Sequence, residues 1–294
     1  MQLLKTSYRA AAALAWATPA QVRHRLGAIG GRLAYLGSRA QARNLRNNYA
    51  AILGLPADDP DVKRRARLAF EYCGEMMLEF ILISKMSGDE VRDRMKYEGL
   101  DNIDRALALG RGVVLTLPHM GNWDMAAAVG ALLGYDVHAV AVPFPGSLNE
   151  AVISDRARFG MKVIMLDKGA FKAGVEVLRQ NKVLALMTDI THGRKGVEVQ
   201  MFGHRASIPA GPAAFSIRTG APVLPVCVRR TAPGRYLAQV GGPVQFAATG
   251  EERKDTAALS QAIVERFEEF IRDTPEQWFA FRPILTPAAS QSGA

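Results

Sequence analysis

The sequence is best understood from residues 113–124, which are Val113-Val114-Leu115-Thr116-Leu117-Pro118-His119-Met120-Gly121-Asn122-Trp123-Asp124. The first five are mostly apolar and β-branched and predict a buried strand. Residues 125–133 are rich in alanine and leucine and predict a helix. His119 is therefore expected at the carboxyl end of a strand, in a tight turn that contains Gly121, with Asp124 in the first turn of the helix. In α/β folds, ligands bind at this edge of the sheet.

His119 has the chemistry of a general base in this position. A neutral imidazole can accept a proton from an alcohol near neutral pH, because its ordinary pKa is ~6.5. A carboxylate on the other ring nitrogen would set the tautomer and stabilise the imidazolium, and the free N–H groups of a helix start can hold an oxyanion or a phosphate. Asp124 can face His119 across the turn. We therefore predict that His119 and Asp124 are catalytic residues.

The rest of the chain predicts an α/β fold, with a mostly parallel central sheet flanked by helices and an N-terminal helical extension. Strands are predicted at residues 113–117, 136–142, 162–166, 183–188, 223–228 and 236–240, with an edge strand at 197–202. Helices are predicted at residues 3–17, 20–36, 41–53, 61–85, 147–159, 171–180, 212–218 and 254–272. The predicted regions are an N-terminal helical region (1–96), an α/β core (97–286) and a disordered tail of small residues (287–294).

The N-terminal region carries most of the net positive charge. Residues 1–50 contain eight lysines and arginines and no acid, in a protein whose net charge is +9. Amphipathic helices of this composition favour an anionic membrane surface or a nucleic acid. Few aromatic residues accompany the basic ones, so we predict a membrane and no nucleic acid. The longest early apolar run, 10–17, is too short for the ~20 residues of a spanning helix, which indicates a peripheral protein. Simple packing of these helices on the core is the alternative to membrane docking.

The cysteines and histidines predict neither a disulfide framework nor a metal site. The two cysteines, Cys73 and Cys227, each lie in an apolar context, which fits a reducing compartment. The five histidines are too scattered to predict metal ligands.

Two further residues are candidates for the site. Asp189 ends the predicted strand 183–188, and two parallel strands that end at the same edge can bring it close to His119. A simple turn-forming role for Asp189 is the alternative. Arg156 lies on a predicted helix before Gly160 and is otherwise a solvated helical arginine.

The residues HMGNWD resemble the HxxxxD signature of glycerolipid and lipid A acyltransferases. The GNWD form is most similar to the late lipid A acyltransferases and to the relatives that acylate phosphatidylinositol mannosides. Residues 196–203 and 207–213, a strand, a glycine turn and a proline-rich helix entry, resemble a second motif of that group. The resemblance covers residues 100–286. A Phe-Pro-Glu-Gly-type motif, which the glycerophosphate acyltransferases carry, is missing from the sequence.

The resemblance implies an acyltransferase that moves a fatty acyl group from acyl-CoA or acyl carrier protein to a hydroxyl of a membrane glycolipid, a phosphatidylinositol mannoside or lipid A-like acceptor. It implies no cofactor and a peripheral location on the cytoplasmic face of the bacterial inner membrane. An acid at the position of Asp189 pairs with the histidine in the mannoside-acylating relatives, where it is a glutamate. We therefore predict Asp189 as a third catalytic residue. Whether Asp124 or Asp189 orients His119 stays open.

The family also places an arginine that faces the donor at the position of Arg156. We accordingly predict four substrate-binding residues, namely Arg156, Asn122, Ser207 and Gly211. Residues 209–212 are expected to present the N–H groups of a helix start.

Three other functions stay open from the sequence. They are a lysophospholipid or glycerophospholipid acyltransferase, a lipid thioesterase or other hydrolase that uses His119 and Asp124, and a membrane-binding scaffold without catalysis.

Overall fold

The computed structural model describes residues 3–191 and 196–285. The predicted disordered tail, 287–294, lies outside these residues. The helices are α1 (Leu3–Ala17), α2 (Ala20–Gly37), α3 (Arg39–Leu53), α4 (Pro60–Leu82), α5 (Gly88–Arg92), α6 (Leu100–Leu107), α7 (Trp123–Leu132), α8 (Ser147–Ala157), α9 (Ala170–Arg179), α10 (Gly211–Thr219) and α11 (Glu252–Asp273), followed by a 3₁₀ turn at Pro275–Gln277. The strands are β1 (Met95–Glu98), β2 (Val113–Leu117), β3 (Val137–Ala141), β4 (Lys162–Met165), β5 (Val183–Met187), β6 (Val197–Met201), β7 (His204–Ile208), β8 (Val223–Ala232) and β9 (Arg235–Val240).

Seven strands form one mixed, mostly parallel sheet in the order β1-β9-β8-β2-β5-β3-β4. Neighbouring strands are parallel except β8 and β9, which form an antiparallel pair. The buried β2 strand lies between β8 and β5 at the centre, and helices cover both faces of the sheet. The α/β class with an N-terminal helical region, predicted from the alternating pattern, is confirmed.

The predicted edge strand at 197–202 is present as β6, but it lies outside the seven-stranded sheet. Strand β6 pairs with β7 in a separate antiparallel hairpin, and the hairpin packs on α11. The sequence pattern did not indicate β1, β7, α5 or α6, because these elements are only four to eight residues long.

Close helix packing joins the N-terminal helices to one another. A Cβ atom at Gly31 of α2 would lie 2.0 Å from the Phe70 carbonyl oxygen of α4, and one at Gly74 would lie 2.3 Å from the Gly27 carbonyl oxygen. Only glycine allows backbones to approach this closely. Helix α4 begins at Pro60, where the Asp59 side chain accepts a hydrogen bond from the Asp61 N–H.

The opposite face of α2 is apolar and exposed. Its large side chains are between 43% and 66% exposed and recur at helical spacing, namely Val22, Leu26, Ile29, Leu33 and Leu36. We call this set the α2 apolar stripe. Among the described residues, no helix combines the length and apolarity needed to cross a bilayer.

Candidate active site

His119 lies in a sharp turn that connects β2 to α7. Gly121 has φ +62°, and a Cβ there would lie 2.2 Å from the Val228 carbonyl oxygen of β8. This residue must therefore be glycine for both conformational and packing reasons. Asn122 caps α7, since its side-chain oxygen accepts a hydrogen bond from the Met125 N–H at 3.0 Å. We call residues 119–122 the His119 turn.

The register of the sheet brings His119 and Asp189 together. Strands β2 and β5 are parallel, and Leu117 lies opposite Met187 at their carboxyl ends. His119 and Asp189 each follow two residues later, so the edge of the sheet places them side by side. His119 Nδ1 lies 2.6 Å from Asp189 Oδ1, and the His119 backbone N–H donates to Asp189 Oδ2 at 2.8 Å. A neutral ring therefore carries its proton on Nδ1, which leaves Nε2 free to accept one.

Asp189 is a buried carboxylate that several donors hold. Its side chain is fully buried, and the Trp278 indole N–H donates to Oδ2 at 2.7 Å. Burial alone would raise the pKa of Asp189, but the charge and hydrogen bonds of His119, together with Trp278, hold that pKa below its ordinary value of 3.8. Asp189 is therefore a carboxylate at neutral pH, and it accepts hydrogen bonds from the ring and the backbone N–H of His119.

Asp124 does not pair with His119, in contrast to the pairing that the spacing of the two residues allows. Arg156 Nε of α8 donates to Asp124 Oδ1 at 2.8 Å, and both side chains are nearly buried. Burial raises the pKa of Asp124 above its ordinary value, and the Arg156 charge offsets only part of this effect. The physical reason for the different pairing is that α7 directs Asp124 toward the cationic side chain of α8, whereas the β2–β5 register places Asp189 beside the imidazole. The geometry thus selects Asp189 as the partner of His119.

Helix α1 reaches the same region through Asp155, which precedes Arg156. The Tyr8 hydroxyl donates to Asp155 Oδ2 at 2.9 Å, and the Arg9 guanidinium lies 2.6 Å from Oδ1. Asp155 is 2% exposed. The N-terminal helix is therefore joined to the helix that supplies Arg156.

An apolar cavity of about 560 Å³ opens beside His119. His119, Trp123, Asp124 and Arg156 line it together with small and apolar side chains of the sheet and of α7. His119 is 19% exposed, and its ring contacts Trp123 edge to face at 5.2 Å between centroids. The polar groups therefore lie in the wall of a cavity that is otherwise suited to a hydrocarbon chain.

The other predicted substrate-binding residues occupy three different environments. Gly211 begins α10 and lines the apolar cavity. Ser207 lies on β7 and lines a second, open cavity of about 650 Å³ that Asp189, Arg205 and Arg282 also line. Asn122 is 1% exposed, and both of its polar atoms bond inside the protein, to the Met125 N–H and to Glu79. Asn122 thus supports the His119 turn and does not face the cavity, which differs from the substrate contact predicted for it.

The comparison with known families decides the class of the protein. The sequence profile of the bacterial lipid A biosynthesis acyltransferases matches residues 4–285. The chain belongs to this family. The resemblance predicted from the HMGNWD segment is confirmed, and the match extends through the N-terminal helices, beyond the range 100–286 over which it was expected.

Curated relatives of this acyltransferase include phosphatidylinositol mannoside acyltransferases. Those of two Mycobacterium tuberculosis strains, CDC 1551 / Oshkosh and ATCC 25618 / H37Rv, are each 34% identical over 265 residues, which cover 88% of this chain and 81% of the relative. That of Mycolicibacterium smegmatis is 33% identical over 258 residues, covering 84% of this chain and 82% of the relative. The protein is an enzyme, and its class is acyltransferase, as the sequence predicted.

The sequence did not predict two residues of the site, namely Trp278 and Glu79. Trp278 is fully buried in a segment after α11 that carries no helix or strand pattern. Its neighbour Phe279 donates its backbone N–H to the His119 carbonyl oxygen at 2.8 Å. A run of aromatic residues directly after an amphipathic helix was the available signal. Nothing in the sequence connects Glu79 with Asn122, because helical glutamates are ordinarily solvated.

In residues 3–191 and 196–285, no group of three or more His, Cys, Asp or Glu side chains is arranged to hold a metal ion.

Proposed function

We propose that the acyltransferase moves a fatty acyl group from acyl-CoA or acyl carrier protein to a hydroxyl of a membrane glycolipid, with His119 as general base. The observation that carries this proposal is the His119 ring, which is bound through Nδ1 to buried Asp189 and lies in the wall of the apolar cavity. The relatives named phosphatidylinositol mannoside acyltransferases support an acceptor of that kind, or a lipid A-like one.

In the proposed reaction, the acceptor hydroxyl oxygen attacks the thioester carbonyl carbon while His119 Nε2 takes the hydroxyl proton. The carbonyl π electrons move to oxygen and form a tetrahedral intermediate. Its collapse forms the ester, breaks the carbon–sulfur bond and releases a thiolate, which takes the proton back from the imidazolium. Asp189 stabilises the imidazolium, and this type of general base catalysis contributes ~100- to 10,000-fold.

Arg156 and the start of α10 are the groups that we assign to the donor. Both line the cavity beside His119. The Arg156 guanidinium has N–H groups besides the Nε that binds Asp124, and these can neutralise charge on the thioester oxygen or on a phosphate. Gly211 lies at the positive end of the α10 dipole.

We further propose that residues 1–96 dock on an anionic membrane and hold the enzyme as a peripheral protein on the cytoplasmic face of the inner membrane. The α2 apolar stripe faces outward, and residues 1–50 carry eight basic residues and no acid. Apolar insertion and attraction to anionic lipids act together in this kind of helix. The proposed acyltransferase core comprises residues 97–286.

Mass spectrometry of the products tests the reaction. Purified protein, palmitoyl-CoA and phosphatidylinositol mannosides are expected to give a lipid with one additional acyl chain, and His119→Ala is expected to lose this product. His138→Ala is a matched control, because His138 pairs with Asp136 at 3.0 Å at the opposite edge of the sheet. Release of free fatty acid without an acceptor would indicate a hydrolase instead, and acceptor modification that survives His119→Ala would contradict the general base.

Vesicle flotation tests the docking surface. Replacing Leu26 and Leu33 of the stripe by serine is expected to reduce binding to vesicles that contain phosphatidylinositol, without unfolding, since both side chains are exposed. Leu109→Ser is the control, because Leu109 is similarly exposed (53%) and lies outside the N-terminal region. Equal binding by all variants would overturn the proposed surface.

A further inference from the structure

Glu79 is a buried glutamate on α4 that contacts the His119 turn. It is 3% exposed. Its Oε2 accepts hydrogen bonds from the Tyr236 hydroxyl at 2.6 Å and from Asn122 Nδ2 at 3.3 Å. His24 Nδ1 of α2 lies 3.8 Å from Oε1, an oxygen that has no hydrogen-bond partner among the described residues. Glutamates are almost never fully buried unless they are paired, because burial of their charge is costly.

The hydrogen bond between Glu79 and Asn122 connects Glu79 to the turn that contains His119. Asn122 has one oxygen and one amide nitrogen, and the oxygen caps α7. The nitrogen must then find an acceptor inside the protein, and Glu79 Oε2 is that acceptor. Asn122 lies three residues after His119, so this hydrogen bond ties the turn to α4. The same turn is held by Asp189 at the His119 N–H and by Phe279 at the His119 carbonyl oxygen.

From this arrangement we infer that Glu79 is a positioning residue, which sets the position of the His119 ring by holding the His119 turn through Asn122. The inference rests on the proposed role of His119 and extends it to the N-terminal helices. Helix α4 packs directly on α2, where a Cβ at Gly27 would lie 2.7 Å from Glu75 Cα. The helices that carry the proposed membrane surface therefore also hold the turn that contains His119.

Four variants separate a positioning role from a merely structural one. Glu79→Met keeps the length of the side chain and removes both acceptors, and kcat for acyl transfer is expected to fall by ~10- to 100-fold with little change in KM. Glu79→Gln keeps an acceptor oxygen and is expected to retain kcat within about threefold. Asn122→Ser keeps a capping oxygen for α7, is too short to reach Glu79, and is expected to match Glu79→Met. The double variant Glu79→Met/Asn122→Ser is expected to lose no more than either single change, because both remove one interaction.

Tyr236→Phe is the matched control. It removes a hydrogen bond to the same Glu79 oxygen but leaves Asn122 untouched. It is expected to lower the melting temperature and to leave kcat within about twofold. A loss of kcat equal to that of Glu79→Met would show that the loss does not depend on the hydrogen bond to Asn122, and it would overturn the inference. Additive losses in the double variant, or wild-type kcat in Asn122→Ser, would also overturn the inference, and the second result holds even where Glu79→Met does not fold.

An independent readout uses the histidine ring itself. In protein labelled with ¹³C at histidine Cε1, Glu79→Met is expected to shift the resonance of His119 and to leave that of His138 unchanged. An unchanged His119 signal would contradict the positioning role. The ring signal does not depend on turnover. Absence of acyl transfer by the wild-type protein would contradict the proposed function, whereas the ring signal would still decide whether Glu79 positions His119.

Discussion

His119 and Asp189, which lie 70 residues apart in the chain, share two hydrogen bonds at the carboxyl ends of adjacent parallel strands. The carboxylate binds the ring nitrogen with one oxygen and the backbone N–H of the same residue with the other. This double contact sets both the position of the turn and the tautomer of the ring. Asp124, the acid of the HxxxxD segment, instead binds Arg156 and belongs to the wall of the cavity.

Asp189→Asn is expected to lower kcat by ~10³- to 10⁴-fold. The asparagine oxygen can take the Oδ2 position, where it still accepts from the His119 N–H and from Trp278. Its NH₂ group then faces His119 Nδ1 and places the ring proton on Nε2, which can no longer accept the proton of the hydroxyl. Steady-state kinetics with palmitoyl-CoA measure this loss. Near-wild-type turnover in a folded variant would argue against the pairing.

The same carboxylate is expected to make stability depend on acid pH. Because the pKa of Asp189 is lowered in the folded state, its contribution to stability is present above the ordinary value of 3.8 and is lost as the pH falls through the lowered value. Between about pH 5 and about pH 3, the free energy of unfolding should fall more steeply for the wild type than for Asp189→Asn. Urea titrations at each pH measure this difference, and parallel curves would contradict it.

Trp278→Phe should reduce both stability and turnover. It removes one donor from the buried carboxylate of Asp189, and the free energy of unfolding should fall by about 1–3 kcal/mol. Tyr49→Phe is the control, because the Tyr49 hydroxyl donates to the Trp278 carbonyl oxygen at 2.7 Å without touching Asp189. Thermal unfolding should report a loss in both variants, whereas a clear loss of kcat is expected in Trp278→Phe alone.

Asp124 and Arg156 should behave as one energetic unit. Each side chain is nearly buried, so removing either alone leaves an uncompensated charge, and Asp124→Ala or Arg156→Ala should cost ~3 kcal/mol of folding free energy. The double variant should cost less than the sum by about 1–3 kcal/mol. Denaturant unfolding of the three variants measures this coupling. Arg158→Ala serves as the control, because Arg158 donates to the Met86 carbonyl oxygen and has no contact with Asp124.

Gly130 is expected to influence the length of the acyl chain. It lines the cavity on α7, six residues beyond Asp124 and therefore ~9 Å farther along the helix. Gly130→Met should fill this part of the cavity and shift the preference toward shorter acyl-CoA donors. Gly130→Ala should not, since the added Cβ would make only ordinary contacts at 3.6 and 3.7 Å with Tyr97 and Val137. Competition between donors of different length, analysed by mass spectrometry, tests this, and an unchanged preference in Gly130→Met would exclude the cavity as the chain site.

Local sequence determined much of the architecture of this protein. Helix α1 and strand β2 have the bounds that the pattern predicts, and His119 lies after β2 as expected. These features depend on the periodicity of apolar residues, on Pro19 beyond the end of α1 and on the φ of Gly121, which are properties of neighbouring residues. The candidate acids Asp124 and Asp189 were also identifiable, because each stands at the start of a helix or the end of a strand.

Tertiary structure alone decided which acid serves His119. The choice depends on the register between β2 and β5, a ladder of backbone hydrogen bonds that aligns Leu117 with Met187, and on Arg156, which binds Asp124 from another helix. Trp278 and Glu79 reach the site from sequence distances of 89 residues from Asp189 and 43 residues from Asn122. Such contacts form only when separate elements pack together, and the spacing of residues along the chain carries no record of that packing.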